Sequence, residues 1–435
     1  MRFGKLASAV ALTLIAATAA GCGGGEDDAA ASEKLVYWAS NQGTSIDHDK
    51  QVLQPQLDAF EQQTGIEVEL EVVGWPDLLN RILAATTSGE GPDVLNIGNT
   101  WSASLQATGA FLPFEDSVLE EVGGRQRFLG PSLAATGAEG KPPAAIPLYG
   151  QAYGLYYNKK MFAEAGIDGP PATWEELIED GKKLTKAGQW GLTLQAGQVT
   201  ENAHHASILG AQHGATFFAP DGTPQLASDP AVNAVQQYLD LMQKHKIVDP
   251  GNAEYTDTAK SLKDLADGRA AMFMNQASAG SFELAGMDMA NLGVAPIPLP
   301  AAPPAGSRKV TSFVAGINLA VFDNTDNRAG ALEFAKFMTS TPVQVALNQA
   351  YGSLPVVTDA YADPAFQGPD VKVFQDVLST TAEPMPQVPQ ESQFETLIGT
   401  AMKEMFADAA AGDPVDAASI KDRLVQADEQ LAAGS

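Results

Sequence analysis

A two-lobed α/β protein, each lobe carrying a doubly wound sheet, is predicted by three observations. Strand and helix patterns alternate three times from Lys34, a second such set begins near Ile146, and 435 residues suffice for two to three domains with ample core. In open sheets of this kind a ligand enters at the carboxyl ends of the strands. The loops there are the first place to look for function.

The first set opens with "KLVYWAS", a short apolar strand. In "DHDKQVLQPQLDAFEQQTG" the residues Val52, Leu53, Leu57 and Phe60 share a helical face, and Pro55 should kink or restart the helix. "IEVELEVV" alternates strictly and reads as a half-buried strand. Pro76 suits a first helical turn, Leu78, Leu79, Ile82 and Leu83 mark one face, and Gly89 ends it. "PDVLNIG" is a third strand and "TWSASLQATG" a short helix.

In the second set "IPLYGQAYGLYYN" supplies strand material, and Thr173 and Glu176 are spaced as a capping box for a helix. "QWGLTL" reads as a strand, Asp229 as the cap of a helix with Pro230 in its first turn, and "GRAAMFMN" as a buried strand. "PLPAAPPAGS" is a linker by composition, "TSFVAGINLAVF" a strand, and two helices precede the extended "EPMPQVPQ". Two more helices close the chain, and no repeat is evident.

Composition narrows the partners. A net charge of −27 makes nucleic acid and anionic surfaces poor ones. Arg2 and Lys5 precede an apolar run from Leu6 to Ala20, too short to span a bilayer and ending in small residues, which has the shape of a secretory signal. The one cysteine, Cys22, follows directly and can form no internal disulfide. Its order, "AAGC", resembles the lipobox of bacterial lipoproteins, although Ala19 stands where that box usually has leucine. The resemblance implies a signal over 1–21, lipidation of Cys22, and attachment to the outer face of the cell membrane. Residues 22–33, rich in glycine, acid and alanine, read as a flexible tether.

The specific catalytic signatures are missing: no HExxH, Walker-A loop, GxSxG elbow or CxxC occurs. His204 and His205 are adjacent and lack the carboxylate or cysteine partners of a closed metal set, so neither metal nor cofactor is expected. Trp38 and Trp174 fall inside elements and read as core, and Trp190 is open. Trp75 and Trp101 instead follow strand ends, where an indole face can lie against the C–H bonds of a sugar. Asn41, Gln42 and Asn99 share that edge and offer amides to hydroxyls. A secreted glycoside hydrolase, or a receptor for peptide or polyamine, stays open on these residues alone.

The stretches "FEQQTGIEVE", "SGEGPDVL", "ALEFAKFMTS" and "MPQVPQ", and above all "GLYYNKKMFAEAG", resemble the family 1 carbohydrate-binding proteins of ABC importers, maltodextrin receptors among them. That resemblance implies two lobes joined by a hinge, no catalysis, a mono- or oligosaccharide in the cleft, an ABC permease as partner, and a monomer. It divides the chain into a first lobe of 34–147 and 308–350 and a second of 148–307 and 351–435. Carried over by position, it turns Ser40, Asn41, Gln42, Trp75, Asn99, Thr100 and Trp101 toward ligand in the first lobe, with Tyr149 near the boundary. In the second lobe it adds Asn202, His205 and Asn275, with Gly316, Tyr351 and Gly352 near the floor and Gln393 and Phe394 after "PQVPQ". After "AMFMN" the chain reads "QASAGSF" where many members have a glycine and a stacking tryptophan. Either the ligand is small and held by Trp75, Trp101 and Tyr149, or Gln276 and Ser278 replace stacking.

Overall fold

In a computed structural model, residues 34–276 and 279–434 are described. Cys22, the expected signal and tether, and Ser278 lie outside them. Among the described residues ten strands run in chain order: β1 Lys34–Ser40, β2 Glu67–Val73, β3 Val94–Gly98, β4 Ile146–Ala152, β5 Gly154–Asn158, β6 Trp190–Thr193, β7 Ala270–Asn275, β8 Leu292–Ala295, β9 Ser312–Val321 and β10 Ala382–Glu383. They form two sheets. The first has the order β10-β9-β3-β1-β2, with β4 also on β9, and the second the order β6-β7-β5-β8.

β1, β2 and β3 are parallel, so Ser40, Val73 and Gly98 end on one edge. β9 returns antiparallel to both β3 and β4. Helices cover both faces of this sheet. Leu53, Leu57 and Phe60 of the helix Ile46–Thr64 join Tyr37 and Phe334 on one side, and Leu78 and Ile82 of Trp75–Ser88 pack with Trp38 on the other. Pro55 lies inside Ile46–Thr64 without ending it: one backbone hydrogen bond is forgone while the apolar stripe on either side stays buried. Left-handed glycines close both helices, Gly65 at φ 77° and Gly89 at φ 74°.

In the second lobe the Thr173–Glu176 capping box forms as the spacing predicts. The helix Asp229–Gln243 starts one residue earlier than expected, with Ser228 at the cap and Asp229 in the first turn. Trp174 and Trp38 are both buried. The closing helices Glu391–Ala411 and Ala417–Ala433 pack into the second core, beside Val199–His213 and Asp229–Gln243. Val356, Val357 and Ala360, by contrast, belong to the first core.

The chain therefore passes between the two cores three times. One passage is the single residue Tyr153 between β4 and β5, and the others are 296–311 and 384–390. No described helix is long and apolar enough to cross a membrane.

Candidate functional site

At the carboxyl edge of the first sheet three loops converge. After β1 the chain folds over Asp49, a fully buried carboxylate at the start of the first helix. Its oxygens accept the backbone N–H of Gln42 at 3.1 Å and of Gly43 at 2.7 Å, and the amide of Asn41 also donates to it. These charge-assisted bonds fix the loop before any ligand arrives. Ser40 lies behind it, buried, accepting from Asn96 at 3.1 Å and from Gln42 Nε2 at 3.0 Å.

After β2, Gly74 caps the helix that Trp75 begins. After β3, Asn99, Thr100 and Trp101 form one tight turn. The Trp101 indole packs over Gly98, where an added Cβ would meet the ring at 3.2 Å. Its centroid stands 5.5 Å from that of Trp75 at an interplanar angle of 69°, an edge-to-face pair. Asn99 donates to the Val314 carbonyl of β9.

Across from these loops lie Gln198, Thr200 and His204 around the helix Val199–His213, Thr258 at the head of the helix Thr258–Ala266, Gln276 after β7, and Glu395 on Glu391–Ala411. Gln151, Phe313, Ala315, Gly316 and Ile317 form the floor. The walls enclose about 600 Å³, in the range of small-molecule sites. Among the described residues lining it, Glu395 is the one carboxylate, and there is neither lysine nor arginine.

One hydrogen-bonded chain ties these walls together. Thr100 Oγ1 donates to Glu395 Oε2 at 3.2 Å, and Glu395 Oε1 meets His204 Nε2 at 3.1 Å. His204 Nδ1 lies 2.7 Å from the Tyr153 hydroxyl, which donates to Glu201 Oε2 at 2.9 Å. Asn275 joins Glu201 at 3.2 Å and Gln195 at 2.7 Å. Burial pushes the Glu201 carboxyl up and the Tyr153 phenol well up, because either ion would lose its water there.

Of the residues expected to meet ligand, Asn41, Gln42, Trp75, Asn99, Thr100, Trp101 and Gly316 line the cavity together. Others are occupied elsewhere. Tyr149 is buried in the first core, edge-on to Tyr351 at 5.4 Å, and Gly352 ends the helix that holds Tyr351 in the left-handed region, φ 66°. Asn202 is fully buried and donates to the Ala196 carbonyl at 2.9 Å. His205 stacks on Tyr238, centroids 4.9 Å apart, and its Nδ1–H donates to the Glu201 carbonyl at 2.8 Å. Burial holds the His205 imidazole down at about 4. Asn275 is buried behind the wall, Gln393 reaches toward the Gln430 carbonyl at 3.4 Å, and Phe394 packs between Phe217 and Phe218.

His204 and Glu395, each one position from an expected residue, face the cleft instead. The signal was present for the second. Phe394, Ile398, Met402 and Met405 repeat at helical spacing, which sends Phe394 to the core and turns its neighbour away. Gln198, Thr200 and Thr258 carried no local signal.

Two α/β lobes crossed three times by the chain, with a polar, aromatic-walled cleft between them, define a clamshell binding protein. The sequence profile of the bacterial extracellular solute-binding proteins matches residues 43–345, and the chain belongs to that family. A Brucella abortus relative, named only as a binding protein, is 26% identical over 86% of this chain and 88% of its own. The diacetylchitobiose binding protein DasA of Streptomyces coelicolor is 26% identical over 81% of each. Among solved structures, an ABC transporter solute-binding protein of Thermotoga lettingae bound with α-D-tagatose superposes with a TM-score of 0.76, at 22% identity, covering 92% of this chain and 100% of that one.

Proposed function

We propose that this protein is the receptor of an ABC importer, capturing a neutral mono- or oligosaccharide between its lobes and handing it to a membrane permease. The observation that carries the reading is the Trp75–Trp101 pair set among Asn41, Gln42, Asn99, Gln151 and Gln276 in one cleft. Indole faces suit the C–H surface of a sugar, and the amides both donate to and accept from its hydroxyls. The absence of lysine and arginine from the described lining argues against a phosphorylated or carboxylated solute. A retaining or inverting hydrolase needs two carboxylates flanking the bond, and the described lining offers Glu395 alone.

Ser40, Asp49, Asn275 and Tyr153 hold the ligand-facing groups in place. Contacts to both walls favour the closed arrangement, since a ligand shifts that equilibrium only by its differential affinity. We place the first lobe at 34–152 with 312–383 and the second at 154–295 with 391–433, following the sheets and cores. In the same reading Cys22 carries the lipid that anchors a monomer to the outer face of the membrane, after removal of 1–21.

A thermal-shift screen of residues 23–435 against a sugar panel tests the function, because a bound solute raises the melting temperature by mass action. A panel that shifts nothing, with titration calorimetry equally silent, refutes it. For the anchor, metabolic lipid labelling should vanish in Cys22→Ala, and persistent labelling would overturn that assignment.

A further inference from the structure

A second cavity, of about 180 Å³, lies against the cleft and shares two lining residues with it, Gln151 and Gln276. Its chemistry is different. Tyr156 and Leu292 of the second sheet face Phe366 and Phe374 of the segment 312–383, and the rings of Tyr156 and Phe374 stand 5.7 Å apart. Most of its lining surface is apolar, and a space of this size can take up a single aromatic ring. Between the two spaces, Gln276 Oε1 is shielded from solvent and has no hydrogen-bond partner, a costly state for an amide acceptor.

We propose that this cavity is an annex of the solute site that receives an apolar, uncharged substituent on the sugar, such as an aryl aglycone. The claim rests on the sugar reading above and names a class of ligand for it: an aryl or short alkyl glycoside. A glycoside joins the two chemistries in one molecule. The sugar lies in the cleft beside Gln151 and Gln276, the two residues that line both spaces, and the aglycone covers Tyr156, Leu292 and Phe374 in the annex. Asp370 also reaches the annex lining, which disfavours a fatty acid or any other anionic tail.

The experiment uses matched probes on the mature protein: methyl and 4-nitrophenyl glycosides of glucose, galactose, xylose and N-acetylglucosamine, compared by titration calorimetry. For a sugar that binds, the aryl glycoside should bind about tenfold or more tightly than the methyl one, as burial of one ring predicts. Val371→Trp, on the helical rim of the annex, should fill the space and remove that gain while the methyl glycoside binds as before. Phe374→Ala should reduce the gain independently, with methyl-glycoside binding reporting that the fold is intact. Methyl glycosides that bind with no aryl gain, or a gain that survives both substitutions, overturn the annex and leave the sugar reading standing. Binding of neither series overturns both.

Discussion

Replacing Trp101 with alanine tests the cleft most directly. The indole is half-buried at the first turn after β3, packed over Gly98 and edge-on to Trp75, with its remaining face toward the cavity. A pyranose laid on that face would cover roughly 50 Å² of ring and a like area of its own, a ceiling of about 2.5 kcal/mol at roughly 25 cal/mol per Å². Loss of the edge contact frees Trp75 to reorient, and aromatic pairs are worth about 0.5–1.5 kcal/mol, so the alanine variant should lose about 1–3 kcal/mol of binding. In dissociation constant that is about 5- to 150-fold. Calorimetry with any sugar that passes the thermal-shift screen measures it, and Trp101→Phe should fall between the two. Melting of each unliganded variant separates lost affinity from lost fold. Unchanged affinity in Trp101→Ala would refute the placement of the sugar on this wall.

Other expectations are structural. An added Cβ at Gly399 would lie 2.1 Å from the Val199 carbonyl, so Gly399→Ala should separate two packed helices and cost about 1–3 kcal/mol in denaturant unfolding. Thr100→Val combined with Ser104→Ala removes the bonds from the first lobe to Glu395 and to Ser392, and the unliganded protein should then scatter X-rays as a more open particle; an unchanged profile would show that these bonds do not hold the lobes together. His205 sits at about 4 in the fold against 6.5 in the free chain, so the unfolded state binds the extra proton. Its contribution is fully present above pH 6.5 and is lost as pH falls toward 4, about 3 kcal/mol in all. Chemical denaturation of wild type against His205→Gln across that window should show the difference closing as pH falls.

The first wall was legible because its signals are local. A parallel strand, then a loop, then a helix fixes where Asn41, Trp75 and Trp101 must emerge, whatever the rest of the chain does. The second wall depends on helical phase. Adjacent residues on a helix point about 100° apart, so the position of an element does not say which of His204 and His205, or of Phe394 and Glu395, meets the cleft. Packing decides: His205 is taken by Tyr238 and Phe394 by Phe217 and Phe218. Tyr149 shows the same limit in a strand, since its partner Tyr351 is two hundred positions away in the chain and only the assembled core brings them together.

Tyr153 has a bearing on timing and signal. It is the whole connection between β4 and β5, its backbone N–H is held by Ser312 Oγ at 2.8 Å, and its hydroxyl is fixed by Glu201 and His204. A joint one residue long has no slack. It permits torsion and forbids sliding, so the two walls can meet in one register and no other. In a receptor, such a pin turns a graded variable, how many contacts a solute makes, into a two-position output that a partner reads as open or shut.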